Sequence, residues 1–231
     1  MKPRLWHRLS LIFNVFLMIS TTIIVTNGFL HGAGDGQLGE EMIGWGYFKA
    51  FTIDANILNG VIALIVGGFD LKWLLEKRNS GKTEEIPRWV GILRLVGATN
   101  MLVVFLTVLL FLIPVRIGSG LDAGMLVSNE MVFFHIFNPL VAAAGFIFLQ
   151  KQGELKDFEK AMAVLPLALY IIIYAIMVFG VKSWTDFYGL TFGGNLVFGL
   201  LSAAVLCVMA LGVSFGLVWL NEKMGVRKKA K

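Results

Sequence analysis

The chain has 231 residues, 57% of them apolar and 15% charged, with a mean hydropathy of +0.78 and a formal net charge of +5. Soluble domains run at about 45 to 50% apolar and about 25% charged, so this composition excludes a water-soluble fold and points to an integral membrane protein. The single cysteine, Cys207, excludes an intramolecular disulfide.

Apolar segments of the length needed to cross a hydrocarbon core about 30 Å thick predict an all-α, six-transmembrane-helix bundle occupying residues 1–231 as one domain. In chain order the expected helices cover 9–25, 47–69, 90–113, 131–150, 161–181 and 196–220. The first follows "MKPRLWHR", which has the form of a signal-peptide n-region. No A-x-A-like cleavage site follows its apolar run, and it reads as a retained helix.

Basic residues set the expected orientation, since Lys and Arg in short loops stay cytoplasmic. Lys2, Arg4 and Arg8 precede the first helix; Lys72, Lys77, Arg78, Lys82 and Arg88 follow the second; Lys151, Lys156 and Lys160 follow the fourth. The tail "EKMGVRKKAK" adds five more, against Lys49, Arg116 and Lys182 on the opposite faces. Both termini are therefore expected in the cytoplasm, with the chain in the cell membrane. Trp6, Trp45, Trp73, Trp89, Trp184 and Trp219 all fall near expected helix ends, as interfacial anchors do. The basic tail reads as an orientation signal in contact with anionic lipid headgroups, and no nucleic-acid partner is expected.

Polar side chains within apolar spans face a bundle interior or an aqueous cavity, and each is a candidate for function. They are Asn14, Thr52, Asp54, Asn56, Asn59, Arg94, Asn100, His135, Asn138, Tyr170, Tyr174 and Ser202. With helix two entering from outside at Tyr47, Thr52 lies about 7 to 8 Å deep, and with helix four entering at Met131, His135 lies about 6 Å deep. Thr52 and Asn56 share a face at i, i+4, as do His135 and Asn138 at i, i+3, so two polar faces are expected at one level. Pro139 withholds an N–H from the His135 carbonyl, and a kink is expected there.

Threonine becomes a nucleophile when a base removes its proton, and a neutral imidazole is suited to that work. Thr52 and His135 are the candidate catalytic pair, with Asn56 or Asn138 orienting the imidazole or donating to an oxyanion. The alternative reading of the same residues is helix packing, with Thr52 bonded to its own backbone. Asp54 points about 200° from Thr52 and is expected to pair with Lys49 or Lys182, to accept bonds from neighbouring helices, or to titrate in an ion pathway. Arg94 is expected to snorkel to the cytoplasmic headgroups. "WTDFYG", 184–189, reads either as an aromatic belt or as a cover over a cavity. His7, His31 and His135 lie on different levels, so no metal site and no cofactor are expected. "GGFD", "GAGDG" and "FGGN" match no phosphate-binding fingerprint.

"FKAFTIDANIL" and "FFHIFNPLV" resemble two motifs of the androgen-induced and androgen-dependent six-helix membrane hydrolases of animals and their bacterial relatives: an aromatic-Phe-Thr pattern with a later Asn in helix two, and a His with a following Pro in helix four. The resemblance implies hydrolysis of fatty-acid esters inside the membrane, with Thr52 and His135 at the positions of the family's threonine and histidine. Two further readings stand beside it: a transporter or channel using Asp54, Asn56 and His135, and a membrane protein that binds partners without turnover.

Overall fold

The computed structural model describes residues 3–32, 42–76, 87–120, 122–127, 130–150, 154–191 and 194–224, all helical or irregular, with no strand among them. All of "GAGDG" after Gly32 and most of the basic tail lie outside the described residues. Five helices are long and apolar enough to cross a membrane: α1 (Arg4–His31, beginning with Pro3), α2 (Phe51–Glu76), α3 (Arg88–Gly118), α5 (Asp157–Gly180) and α6 (Leu196–Met224). Between α3 and α5 lies a shorter apolar helix, α4 (Phe133–Leu149). The chain is thus a helical protein of multi-pass membrane character.

Side-chain bonds show how the helices alternate. His7 of α1 meets Asp70 of α2, Arg94 of α3 bonds Ser10 of α1 and Gln150 just after α4, and Arg88 of α3 bonds Glu159 of α5. Asn221 of α6 donates to the carbonyls of Phe146, Ile147 and Gln150 at 2.8, 3.1 and 2.8 Å. The starts of α1, α3 and α5 and the ends of α2, α4 and α6 therefore share one end of the bundle, the end richer in basic residues. α3 is the centre, packed on α2, α4 and α6. Gly97 permits its approach to α2, since a Cβ there would come within 2.7 Å of Asn59 Oδ1.

Three departures from the sequence expectations have physical causes. First, α2 begins at Phe51, not Tyr47, because Ala50 is extended and Gly44–Lys49 forms a separate 3-10 turn. That turn sets Tyr47 against Gly28 so closely that a Cβ on Gly28 would lie 2.1 Å from the ring. Second, the strain of Pro139 is absorbed by a π-helical turn, Phe133–Phe137, in which Asn138 N–H bonds the Phe133 carbonyl. In that i→i+5 register the carbonyl facing Pro139 is that of Phe134, not of His135. Third, Trp6 and Trp73 are buried, the His7 ring lying edge-on to one and stacked on the other, whereas Trp45, Trp89 and Trp219 are exposed as interfacial anchors are.

Candidate functional site: a lateral cleft beside Thr52

α6 buries residues only in its basic-end half: Ala210, Ser214, Leu217, Val218 and Asn221. Its other half touches a cleft of about 110 Å³ through Leu196, Gly199, Leu200, Ala203 and Leu206. Opposite stand Phe51 and Thr52 at the start of α2, Val103 to Leu112 along α3, Leu167 to Phe179 along α5, and Tyr188, Leu190 and Thr191 of the α5–α6 connection. Leu196 and Leu200 are 55% and 62% exposed, so this wall borders the surface that faces hydrocarbon. α3 and α5 each carry a π-helical turn here, Val108–Leu112 and Ile176–Gly180, which widens the helix where it meets the cleft.

The wall is apolar apart from a few hydroxyls: Thr52, Thr107, Thr191 and the three tyrosines Tyr170, Tyr174 and Tyr188. Among the described residues Thr107 Oγ1 has no hydrogen-bond partner, and it is buried. Tyr170 donates to the Lys49 carbonyl at 2.7 Å and Tyr174 to Asp186 at 2.8 Å. Tyr188 accepts the Phe51 N–H at 2.9 Å and interacts with the Thr52 side chain. "WTDFYG" is an aromatic cluster that reaches the cleft through Tyr188, with Asp186 as its organiser: the carboxylate accepts from Leu190 N, Thr191 N and Thr191 Oγ1 in addition to Tyr174.

The two expected polar faces do meet. Asn138 Nδ2 donates to Asn56 Oδ1 at 2.9 Å, and Ser20 Oγ of α1 donates to Asn138 Oδ1 at 2.9 Å. Asn56 Nδ2 in turn donates to the Thr52 carbonyl at 2.8 Å and the Phe134 carbonyl at 3.4 Å. One amide thus occupies the carbonyl that Pro139 leaves free and fixes the level of Thr52 against the π-helical turn carrying His135.

His135 is buried, and its Nδ1 bonds the Leu126 carbonyl. A carbonyl only accepts, so Nδ1 carries the hydrogen and Nε2 keeps its lone pair, the tautomer that a general base needs. Among the described residues no hydrogen bond joins Thr52 to His135; they occupy adjacent helices at one level. Thr52 lines the cleft and His135 does not.

Asp54 departs from its expected pairing: among the described residues it makes no ion pair with Lys49 or Lys182. Lys49 is held there through its carbonyl, Lys182 is exposed with a backbone φ of 57°, and the half-buried carboxylate lies near Tyr170. Arg94 is corrected as well. It is buried, not snorkelling, and its Nη1 donates to Ser10 Oγ and Gln150 Oε1 at 3.1 Å each. Close by, the fully buried Asp70 takes His7 Nδ1 at 2.7 Å and Asn14 Nδ2 at 3.4 Å. Sequence reading passed over this His7–Asp70 pair because Asp70 fell one residue beyond the expected end of helix two. No group of three or more His, Cys, Asp and Glu side chains able to hold a metal occurs among the described residues.

Compared with known proteins, the chain matches no family model, no curated protein and no solved structure.

Proposed function

We propose that this multi-pass membrane protein is an intramembrane hydrolase of fatty-acid esters, with Thr52 as nucleophile and His135 as base. The observation that carries the reading is the position of Thr52: its side chain borders a cleft that is otherwise almost wholly apolar and whose α6 wall adjoins lipid-facing surface. A cleft of that kind suits an acyl chain arriving sideways from the bilayer, because hydrocarbon moves from lipid to protein with no exposure to water and the ester alone needs polar partners.

In this reading Thr52 Oγ attacks the ester carbonyl, and its proton passes to His135 Nε2. The alcohol leaves with that proton, and water then releases the acid from the acyl-threonine by the same route. Two features favour it. The Leu126 carbonyl holds His135 in the tautomer with a free Nε2, and Asn56 ties the Thr52 level to the helix that carries the imidazole.

The test is labelling of the full chain in lipid nanodiscs with a long-chain alkyl fluorophosphonate, alongside hydrolysis of 4-nitrophenyl myristate. Wild type is expected to label and to turn over, while Thr52→Ala and His135→Ala lose both. Equal labelling of all three, or none in any, removes the hydrolase reading.

A further inference from the structure

Thr52 has one neighbour that an aromatic belt does not explain. Phe51 is the first residue of α2, so its N–H lacks an intrahelical partner and stands at the positive end of the helix dipole. That N–H is given to the phenol oxygen of Tyr188 at 2.9 Å. The same hydroxyl interacts with the Thr52 backbone and side chain and with Tyr170. Tyr170 spends its own proton on the Lys49 carbonyl, so at rest the single Tyr188 proton is directed to the Tyr170 oxygen.

The loop that carries Tyr188 is tied down on both sides of it. Asp186 gathers Tyr174 Oη, Leu190 N, Thr191 N and Thr191 Oγ1, and Ser202 Oγ of α6 donates to the Leu190 carbonyl at 2.9 Å. The Tyr188 oxygen is held in place by these bonds, so that only its single proton turns from Tyr170 to a bound ester, and a donor placed in advance stabilises developing charge strongly. Burial pushes the Tyr188 phenol up, so it keeps its proton at neutral pH and acts as a donor, not as a base. An N–H bond received from Phe51 polarises the phenol and strengthens the bond it donates.

We propose that Tyr188 is a further catalytic residue, the donor that receives the developing oxyanion when Thr52 attacks an ester in the cleft. The proposal rests on the Thr52 reading above. As the bond from Thr52 Oγ to the carbonyl carbon forms, the carbonyl π pair moves onto oxygen and the Thr52 proton goes to His135 Nε2. Tyr188 keeps its own proton, which turns from the Tyr170 oxygen to the developing oxyanion and holds it in a hydrogen bond. Collapse restores the carbonyl and breaks the bond to the alcohol, which takes its proton from His135.

Tyr188→Phe in the full chain in nanodiscs removes the hydroxyl and keeps the ring. With 4-nitrophenyl myristate, kcat is expected to fall about 10²- to 10³-fold while KM stays within about threefold, the loss seen when one oxyanion donor is removed. Photo-cross-linking of a diazirine-bearing myristic acid to the cleft is expected to stay at the wild-type value, and the thermal midpoint to fall by only a few degrees as the Phe51 N–H loses its acceptor. A second series, 3-fluorotyrosine and 3,5-difluorotyrosine at position 188, preserves the cap on α2 and changes only phenol acidity; kcat is expected to change along the series. An active wild type whose kcat is unmoved by Tyr188→Phe and by the fluorinated residues overturns the role of Tyr188 alone. Parallel loss of kcat, cross-linking and thermal midpoint in Tyr188→Phe, with a flat fluorotyrosine series, also overturns it by making Tyr188 a structural cap. A wild type that neither labels nor hydrolyses overturns the Thr52 reading, and the oxyanion donor with it.

Discussion

Asn56 shows how much one side chain settles in an apolar interior. Its amide donates to the Thr52 and Phe134 carbonyls and accepts from Asn138, so α2 and α4 are joined where Pro139 has removed a backbone donor. Asn56→Leu leaves a buried carbonyl and the Asn138 amide unpaired, at a cost of about 1 to 3 kcal/mol each before relaxation. A double-mutant cycle of Asn56→Leu with Asn138→Leu, read by thermal unfolding in detergent, is expected to give a coupling of about 0.6 to 1.7 kcal/mol. A larger single-residue effect belongs to Arg94. Its guanidinium is the permanent cation near the fully buried Asp70, and Arg94→Met keeps the volume while leaving that carboxylate under-compensated. Arg94 bonds Ser10 and Gln150 and acts on Asp70 only through space, so Arg94→Met is expected to cost less than the about 3 to 5 kcal/mol of breaking a buried pair, yet to be less stable than Arg116→Met, whose wild-type side chain is exposed and bonds the nearby Asp122 carbonyl.

At the scale of elements, α6 behaves as two segments. The half holding Ser214 and Asn221 is anchored, with Ser214 donating to the Lys160 carbonyl at 2.8 Å and Asn221 holding three carbonyls at the end of α4. The half from Leu196 to Met209 buries no residue and forms the outer wall of the cleft. Gly199 lies in that wall, where a Cβ would stand 3.3 Å from the Phe179 ring and 3.6 Å from Thr191 Cγ2. Gly199→Leu should therefore occupy the cleft more than it disturbs the anchored half. The expected outcome is loss of diazirine–myristate cross-linking with the thermal midpoint shifted by only a few degrees, because the bonds of Asn221 and Ser214 are untouched. Retained cross-linking in a folded Gly199→Leu protein would show that ligand does not use this cleft.

For the whole molecule, alternation of the six helices brings the start of α1 and the end of α6 to one end of the bundle, through contacts each passes to α4 or its neighbours. α4 is the short member, and whether it crosses decides the topology: with it the termini share a side, without it they lie on opposite sides. Single cysteines at Arg4 and at Lys223, in a Cys207→Ser background, test this in intact cells. Both are expected to resist a membrane-impermeant maleimide until the cells are permeabilised, whereas a cysteine at Lys182 should react at once. Reaction at only one terminus would reduce the number of crossings to five.

Sequence alone determined the helical membrane character, because burial in hydrocarbon forces backbone groups to bond within each segment and leaves composition and length as sufficient signals. It also placed Thr52 with Asn56 and His135 with Asn138 on one face each of helices two and four, since helical spacing fixes which residues share a face. The depth counted from Tyr47, however, rested on a helix start that the structure moves to Phe51. Helical periodicity did not determine where Pro139 frees a carbonyl, because a π-helical turn changes the register that the count assumes. Nor did it find the His7–Asp70 pair, whose partners are 63 residues apart and sit at helix ends. The cleft was invisible for a deeper reason. It exists because α6 packs along half its length, a property of how α3, α5 and α6 meet, while the α6 sequence is apolar throughout and reads alike whether its neighbour is lipid, protein or a ligand. Tyr188 was legible as part of an aromatic belt or of a cavity cover, but not as a partner of α2 until the fold carried its hydroxyl to the first amide of that helix, 137 residues back along the chain.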